Sequence, residues 1–348
     1  AAAASPAAAQ PSPGFDSLAR RVEIRRTAHG VPHLFAQDLR SAGYGLAWVM
    51  MEDHGPRVAT GLLRARGEMG RWFGRDSMES DFLAQRSRTL AVEHYQDLEQ
   101  ATRDVYEGFA AGVNRYVLTH PAEFPAGFAP AFTGYDVAAR DVNQASLQAA
   151  RRFLARVAPA LFRARGGPAP EPGEGIDPIE EGSNAWAFAP SRTKSGKAIL
   201  MRNPHLAWTA GYYEAHLTVP GTFDFYGDFR VGGPFGVVGG FNRDLGWATT
   251  NNAPDLDEIY ALDVDPAATD RYLFDGTSLP LQRELVTVAF RNGPGLSTET
   301  REFWRTPLGP VIHRDGGKVY VLRAAQEGDW RGGEQFLRMM RARSLAEF

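Results

Sequence analysis

The sequence predicts an α+β fold in which a mainly helical part is followed by a strand-rich part. Residues 19–165 contain long stretches in which apolar residues recur every three to four positions, as in amphipathic helices. Residues 183–348 contain short segments of alternating polarity, separated by glycine-containing turns, as in strands. Residues 166–182 lie between the two parts and are rich in glycine, proline and glutamate, so we expect a spacer there.

The composition narrows the classes of function. The 348 residues carry a formal net charge of −3 and include no cysteine. This charge gives no indication of a nucleic-acid or membrane partner, and the sequence lacks the run of about 18 apolar residues that would predict a membrane-spanning helix. The lack of cysteine excludes thiol nucleophiles, disulfides and zinc–thiolate sites.

Residues 1–18 predict a disordered leader. The first of them, AAAASPAAAQPSPG, are small, uncharged and interrupted by proline. This composition is typical of the region around a signal-peptide cleavage site. We therefore expect a periplasmic or secreted protein.

The mainly helical part is predicted to contain two short strands followed by three helices. RRVEIRRTAHGVPHLFAQ predicts two short strands that meet at His29-Gly30. SAGYGLAWVMMEDHGPRVATGLLRARGEMGRWFG then predicts a helix that is interrupted at Pro56. LAVEHYQDLEQATRDVYEGFAAGVNRYVLTHP predicts one long helix that ends at Pro121, and a further helix is expected from about Asp141 to Arg165.

The strand-rich part begins with a hairpin, because NAWAFAP and KAILMRN flank the turn sequence SRTKSG. Further strands are predicted in EAHLTVPG, FDFYGDF, FGVVGGFN, ELVTVAF, REFWRT, GPVIH and KVYVLRA, with turns at Asn292-Gly293 and Asp315-Gly316. The glycines of GGPFGVVGG lack the strand-to-helix context of a dinucleotide loop, so they predict close backbone packing instead. A helix in GGEQFLRMMRARSLAEF is predicted last, and the chain stops as if within a domain.

Ser183 lies where the spacer meets the first of these strands, and its hydroxyl needs a base before it can act as a nucleophile. The sequence contains no G-x-S-x-G, H-E-x-x-H or Walker lysine motif. Cleavage between Gly182 and Ser183 would expose an α-amino group, whose pKa of about 7.7–8.0 suits a base near neutral pH. The small Gly182, the spacer before it and the strand after it favour such self-cleavage. The alternative is an ordinary serine at the start of a strand.

The block EGSNAWAFAPSRTKSGKAILMRNPHL resembles the start of the β-subunit in the penicillin acylase family of N-terminal-nucleophile hydrolases. The similarity lies in the serine followed by Asn184, the aromatic-bearing strand with Trp186, the hairpin and the triplet Asn203-Pro204-His205. HGVPHLFAQ and ARGEMGRWFG resemble the family's α-subunit opening. YYEAHLTVPGTFDFYGDFRVGGPFGVVGGFNRDLGWATTN resembles its β-subunit continuation, in the lactone and aculeacin acylase branch. The resemblance implies a four-layer αββα sandwich, incomplete at the C-terminus, with Ser183 opening a central strand.

The resemblance also assigns catalytic roles. Ser183 would be the nucleophile, its freed amine the base, and His205 the side chain that helps to hold both. LGWATTNNAPDLDEIY matches the segment whose backbone N–H contributes to the oxyanion hole, with Asn252 as the first candidate and Asn251 as the alternative. The family's second oxyanion donor, an asparagine, would fall beyond Phe348.

Two further sites are implied by position. Asp255, Asp257 and Glu258 match a segment that binds calcium in some members, and a solvated acidic turn is the alternative. No cofactor is required for the chemistry, so this calcium would be structural. Phe153 and Leu206 are candidates for the acyl pocket.

The sequence therefore predicts a self-processing amidohydrolase that cleaves an acyl-homoserine lactone or a related small acyl-amide through an acyl-enzyme. Its α- and β-fragments would remain together as a heterodimer after cleavage. One alternative is a β-lactam acylase acting on penicillins or cephalosporins. Another is a catalytically silent homologue that stays uncleaved.

Overall fold

The computed structural model describes residues 14–143, 147–157, 183–205, 209–237, 239–250 and 256–348. The helices in these ranges are α1 (Phe15–Ala19), α2 (Leu39–Arg66), α3 (Met69–Phe73), α4 (Asp81–His94), α5 (Gln100–Thr119), α6 (Gly134–Arg140), α7 (Leu147–Val157) and α8 (Gly332–Arg341). The strands are β1 (Val22–Arg26), β2 (Pro32–Ala36), β3 (Ser183–Phe188), β4 (Ile199–Pro204), β5 (Tyr212–Val219), β6 (Phe223–Arg230), β7 (Gly239–Phe241), β8 (Gly246–Ala248), β9 (Asp257–Asp265), β10 (Ala268–Phe274), β11 (Thr277–Pro280), β12 (Gln282–Asn292), β13 (Gly295–Thr306), β14 (Gly309–Asp315) and β15 (Lys318–Ala324). The predicted α+β class is confirmed.

Helices α2 and α5 form the centre of the helical layer. α2 begins with a capping box, in which the Ser41 backbone N–H donates to Oδ1 of Asp38 at 2.7 Å. Gly108 of α5 lies against the backbone carbonyl of Arg40, where a Cβ would collide with that oxygen. The two backbones therefore approach more closely than ordinary side chains would allow.

The predicted interruption of the helix near Pro56 is confirmed. α2 has a kink at His54, whose φ and ψ are −145° and 27°, and continues to Arg66. A proline disfavours helical geometry in the residues before it, so the chain bends there without ending the helix.

The single long helix predicted to end at Pro121 is wrong. α4 ends at His94, a 3₁₀ turn follows at Tyr95–Asp97, and α5 starts at Gln100. The extended residue Leu98 is 4% exposed, so burial of its side chain in the core outweighs the local helical pattern.

The helix predicted from Asp141 to Arg165 is also placed differently. Asp141 caps the C-terminus of α6, and α7 covers Leu147–Val157, while residues 158–165 lie outside the described ranges. The predicted leader, residues 1–18, is too long, because Leu18 of α1 is buried against Tyr44 of α2. Residues 1–13 and the predicted spacer at 166–182 lie outside the described residues.

A six-stranded sheet packs on the helical layer, with its strands in the order β1-β2-β5-β6-β7-β8. Burial alternates along β5 and β6, so one face is apolar and contributes Leu217, Phe225 and Phe229 to the core with α2 and α5. The opposite face, which we name the outer face, is polar. It carries His33, Tyr212, Glu214, His216, Asp224, Tyr226, Asp228 and Arg230.

Strand β2 pairs with β5 in parallel, with His33 beside His216, whereas β1–β2 and β5–β6 are antiparallel. This pairing joins the part of the chain before the predicted spacer to the part after it. The predicted strands around His29-Gly30 are confirmed as β1 and β2.

A second, seven-stranded antiparallel sheet has the order β11-β10-β9-β15-β14-β13-β12. Its long β12–β13 hairpin packs on α4 through a cluster that includes Phe82 and Val288. The predicted turns are confirmed, because Gly293 and Gly316 have φ values of +59° and +57° that glycine adopts without strain. Among the helices in the described ranges, none combines the length and apolar character needed to cross a membrane.

Candidate active site

Ser183 is the first residue of β3, which forms an antiparallel pair with β4 that we name the Ser183 hairpin. The hydroxyl of Thr193 donates to the carbonyl of Lys197 at 2.7 Å and closes the connection between the strands. The register places Ser183 opposite Pro204, and His205 follows directly. The serine and histidine predicted from sequence therefore lie at the same end of one hairpin.

The two faces of the hairpin differ in character. Directly opposite residues of an antiparallel pair point to the same side. Ser183 and Ala185 therefore share a face with Pro204 and Arg202. The other face is solvent-exposed and carries Trp186, Phe188, Ile199 and Met201, which are 39–49% exposed.

The face that bears Ser183 lies over the outer face of the six-stranded sheet. A Cβ on Gly239 would come within 3.0 Å of Cδ of Arg202, and a Cβ on Gly246 within 3.2 Å of Cδ2 of Leu200. Glycine at these two positions leaves room for the hairpin. Helices, six-stranded sheet and hairpin are thus three successive layers.

The glycines of GGPFGVVGG serve the close backbone packing that the sequence predicted. A Cβ on Gly240 would lie 2.5 Å from both the Phe225 ring and the carbonyl oxygen of Tyr226. β7 therefore packs tightly beside β6 beneath the hairpin.

Arg202 connects the hairpin to the sheet, and sequence reasoning did not identify it. Its guanidinium forms an ion pair with Asp228 of β6 and stacks over the ring of Tyr212, 4.9 Å from the centroid. Burial raises the pKa of the Asp228 carboxyl, and pairing with Arg202 does not offset that rise. The available signal was one arginine within the otherwise apolar strand sequence KAILMRN.

His205 is exposed at the end of β4. Its Nε2 lies 3.4 Å from Nδ2 of Asn203, a long contact at the limit of a hydrogen bond. Both residues belong to the N-P-H triplet, so this contact of the imidazole is local to the end of β4.

The oxyanion candidates Asn251 and Asn252 lie outside the described residues, as do Gly182, Leu206 and Asp255. The strand before Asn251, β8, lies against β4 of the hairpin. The chain therefore runs from the hairpin's neighbour directly into the predicted oxyanion segment.

Asp257 and Glu258 are the first two residues of β9. Successive strand residues point to opposite faces, so these two carboxylates do not converge on one ion. Within the described ranges, no group of three or more histidine, aspartate or glutamate side chains is arranged to hold a metal. Because Asp255 lies outside the described residues, calcium binding at this segment stays a prediction.

Phe153 of α7 packs against Tyr320 of β15, with ring centroids 5.0 Å apart. Its place in an acyl pocket stays a prediction. A cavity of about 390 Å³ lies between Arg71-Trp72 and the β12–β13 turn. No residue of the Ser183 hairpin lines this cavity. This cavity is therefore not assigned to the chemistry of Ser183.

Comparison with known proteins agrees with the resemblance in the sequence. The family model described as penicillin amidase matches residues 21–348. The acyl-homoserine lactone acylase PvdQ of Pseudomonas fluorescens (strain Pf0-1) is 30% identical over 95% of this chain and 47% of its own length.

Two other relatives carry different names. The aculeacin-A acylase of Actinoplanes utahensis is 27% identical, over 92% of this chain and 45% of its own length. The penicillin acylase 2 proenzyme of Pseudomonas sp. (strain SE83) is 24% identical, over 89% of this chain and 46% of its own length. The chain thus spans about half the length of the curated relatives it matches.

Proposed function

Because the chain belongs to the penicillin amidase family, we propose that it carries the nucleophile of an acylase that hydrolyses the amide bond of an N-acylated small molecule. The observation that carries this proposal is the register of the Ser183 hairpin. It sets Ser183 opposite Pro204, the residue before His205, at the start of a strand that follows the predicted spacer.

Self-cleavage comes first in the proposed sequence of events. Ser183 Oγ attacks the carbonyl of Gly182, and the acyl group moves from nitrogen to oxygen. This shift breaks the amide bond and frees the α-amino group of Ser183. Water then hydrolyses the resulting ester, which releases the Gly182 carboxylate and restores the Ser183 hydroxyl. One relative, the penicillin acylase 2 proenzyme, is named as a precursor, which supports such a step.

The same hydroxyl then acts on substrate. The free amine of Ser183 takes the hydroxyl proton as Oγ attacks the amide carbonyl, and backbone N–H groups near Asn252 stabilise the oxyanion. The amine product leaves with that proton, and an acyl-enzyme ester remains. Water, activated by the same amine, releases the carboxylic acid and restores Ser183.

We propose an acyl-homoserine lactone, or a related acyl-amide, as the substrate. The names of the lactone and aculeacin acylases support this class. The relative named penicillin acylase keeps β-lactams as the second candidate. We further propose that the two fragments stay associated as a heterodimer and that the protein works in the periplasm or outside the cell.

Mass spectrometry and N-terminal sequencing of the purified protein test the proposal. We expect two chains, the second beginning Ser-Asn-Ala-Trp, and release of free acid from acyl-homoserine lactones. The variant Ser183→Ala should remain one uncut chain without activity, whereas Ser191→Ala, in the turn of the same hairpin, should behave as the unmodified protein. Cleavage or hydrolysis by Ser183→Ala would refute the mechanism. Faster turnover of penicillins than of lactones would select the second candidate.

A further inference from the structure

We propose that Arg202 and Asp228 are a positioning pair, which fixes the Ser183 hairpin on the outer face of the six-stranded sheet in its catalytic orientation. This inference rests on the proposed role of Ser183. Neither residue is assigned to the reacting atoms.

The first argument is placement. Arg202 precedes the cross-strand partner of Ser183 by two residues on β4, so its side chain leaves the hairpin from the face that carries the nucleophile. A shift of the Arg202 side chain would therefore move β4, and with it the paired strand β3 that carries Ser183.

The second argument is the set of contacts across the two layers. From β4, Arg202 reaches Asp228 on β6, the ring of Tyr212 on β5 and the backbone at Gly239 on β7. Across the described part of the chain, no other ion pair joins the hairpin to the six-stranded sheet. The Arg202 side chain thus fixes the position of the hairpin relative to β5, β6 and β7.

The third argument is the cost of the arrangement. The side chains of Arg202 and Asp228 are 12% and 28% exposed. Nε of Arg202 is buried and has no hydrogen-bond partner in the structure. Burying a charged pair with an unsatisfied donor contributes little net stability, and apolar replacements of similar volume are often at least as stable. The pair is therefore better explained by the orientation it imposes than by stability.

The fourth argument is which side of the hairpin meets the sheet. Its outward face is exposed at Trp186, Phe188, Ile199 and Met201. On its inward face, Leu200 lies over Gly246 beside Arg202, so the Arg202 ion pair acts on the face that meets the sheet.

The test compares stability with turnover in four variants. Arg202→Met alone leaves Asp228 buried without its partner, so we expect both Tm and kcat to fall, kcat by about tenfold to a hundredfold. The double variant Arg202→Met/Asp228→Leu should recover Tm but not kcat, with KM changed far less than kcat. Arg202→Lys, which keeps the charge but not the planar fork, should recover only part of kcat. Arg283→Met, which breaks the exposed pair with Glu302 on β12–β13, is the control and should leave kcat unchanged.

A merely structural pair gives a different result. If kcat of the double variant returns together with Tm, the positioning role is overturned. Ser183→Ala separates this failure from failure of the proposed function. An inactive Ser183→Ala beside a fully active double variant rejects the positioning pair alone, whereas an active Ser183→Ala rejects the proposed function.

Discussion

His33 and His216 face each other across the parallel β2–β5 pair, with their Nδ1 atoms 2.9 Å apart. Nε2 of His216 lies 2.8 Å from Oδ1 of Asp224. Partial burial would raise the pKa of Asp224, but hydrogen bonds from Thr218 and His216 hold it below its usual range. The ionised carboxylate only accepts, so His216 donates to it from Nε2, and one of the two histidines donates to the other across the Nδ1–Nδ1 contact. These contacts of His33, His216 and Asp224 link β2, β5 and β6 on the outer face.

We predict that the two histidines are energetically coupled. His33→Ala and His216→Ala should each destabilise the protein, and the double variant should lose less than their sum, by about 0.5–2 kcal/mol. Urea unfolding of the four proteins measures this coupling. His29→Ala, in the β1–β2 turn, combined with His216→Ala should instead be additive. Additive losses for the His33 and His216 pair would show that the contact contributes no interaction energy.

We predict a stability cost from Asp141 that appears as pH rises. Burial raises the pKa of Asp141 to about 6, although the Tyr106 hydroxyl donates to it at 2.6 Å. The folded state therefore holds a proton more tightly than the unfolded chain, whose aspartate pKa is about 3.9. The free energy of unfolding is therefore highest below about pH 4 as far as this group is concerned. It falls between about pH 4 and 6, by at most about 3 kcal/mol in total, and stays at the lower value above about pH 6.

Asp141→Asn should remove this fall and raise Tm most at pH 7, as measured by thermal unfolding from pH 4 to 8. Asp97→Asn replaces an exposed carboxylate and serves as the control. An unchanged slope in Asp141→Asn would contradict the assignment.

We predict that Gly108→Ala destabilises the helical layer. Alanine favours a helix over glycine by up to about 1 kcal/mol. The added methyl, however, would collide with the carbonyl of Arg40, and such overpacking costs about 1–3 kcal/mol. A lower urea midpoint is the expected result. Gly295→Ala, where the methyl would meet no atom within 4 Å, should change the midpoint little.

We predict that Asp257 and Glu258 do not act together on one calcium ion, because they point to opposite faces of β9. A rise in Tm on adding calcium after chelation should be lost in Asp257→Asn or in Glu258→Gln, but not in both. Loss in both variants would contradict the geometry. A Tm that does not respond to calcium would identify the segment as a solvated acidic turn.

Local features of the fold could be predicted from sequence, because their causes are local. The turn at His29-Gly30 and the turn between β3 and β4 depend on residues a few positions apart. The break between α4 and α5 could not be predicted, because it depends on burial of Leu98 by residues distant in sequence.

The same distinction applies to the site. The position of Ser183 and His205 at one end of a hairpin could be predicted, since that hairpin is continuous in sequence, whereas their catalytic roles rest on the resemblance and stay predictions. Arg202 and Asp228 are 26 residues apart, and His33 and His216 are 183 apart. Their contacts require the order of strands in the sheet, and no pattern within one segment specifies that order.

The parallel β2–β5 pair would hold the two fragments together after a cut between Gly182 and Ser183. β2, which precedes the cut in sequence, pairs with β1 on one side and with β5, which follows the cut, on the other. The two polypeptides would therefore share one hydrophobic core. Dissociation of the two fragments would therefore require unfolding of this shared core. An uncut precursor would form this shared core before the cut, whereas two separately synthesised chains would have to form it by folding together.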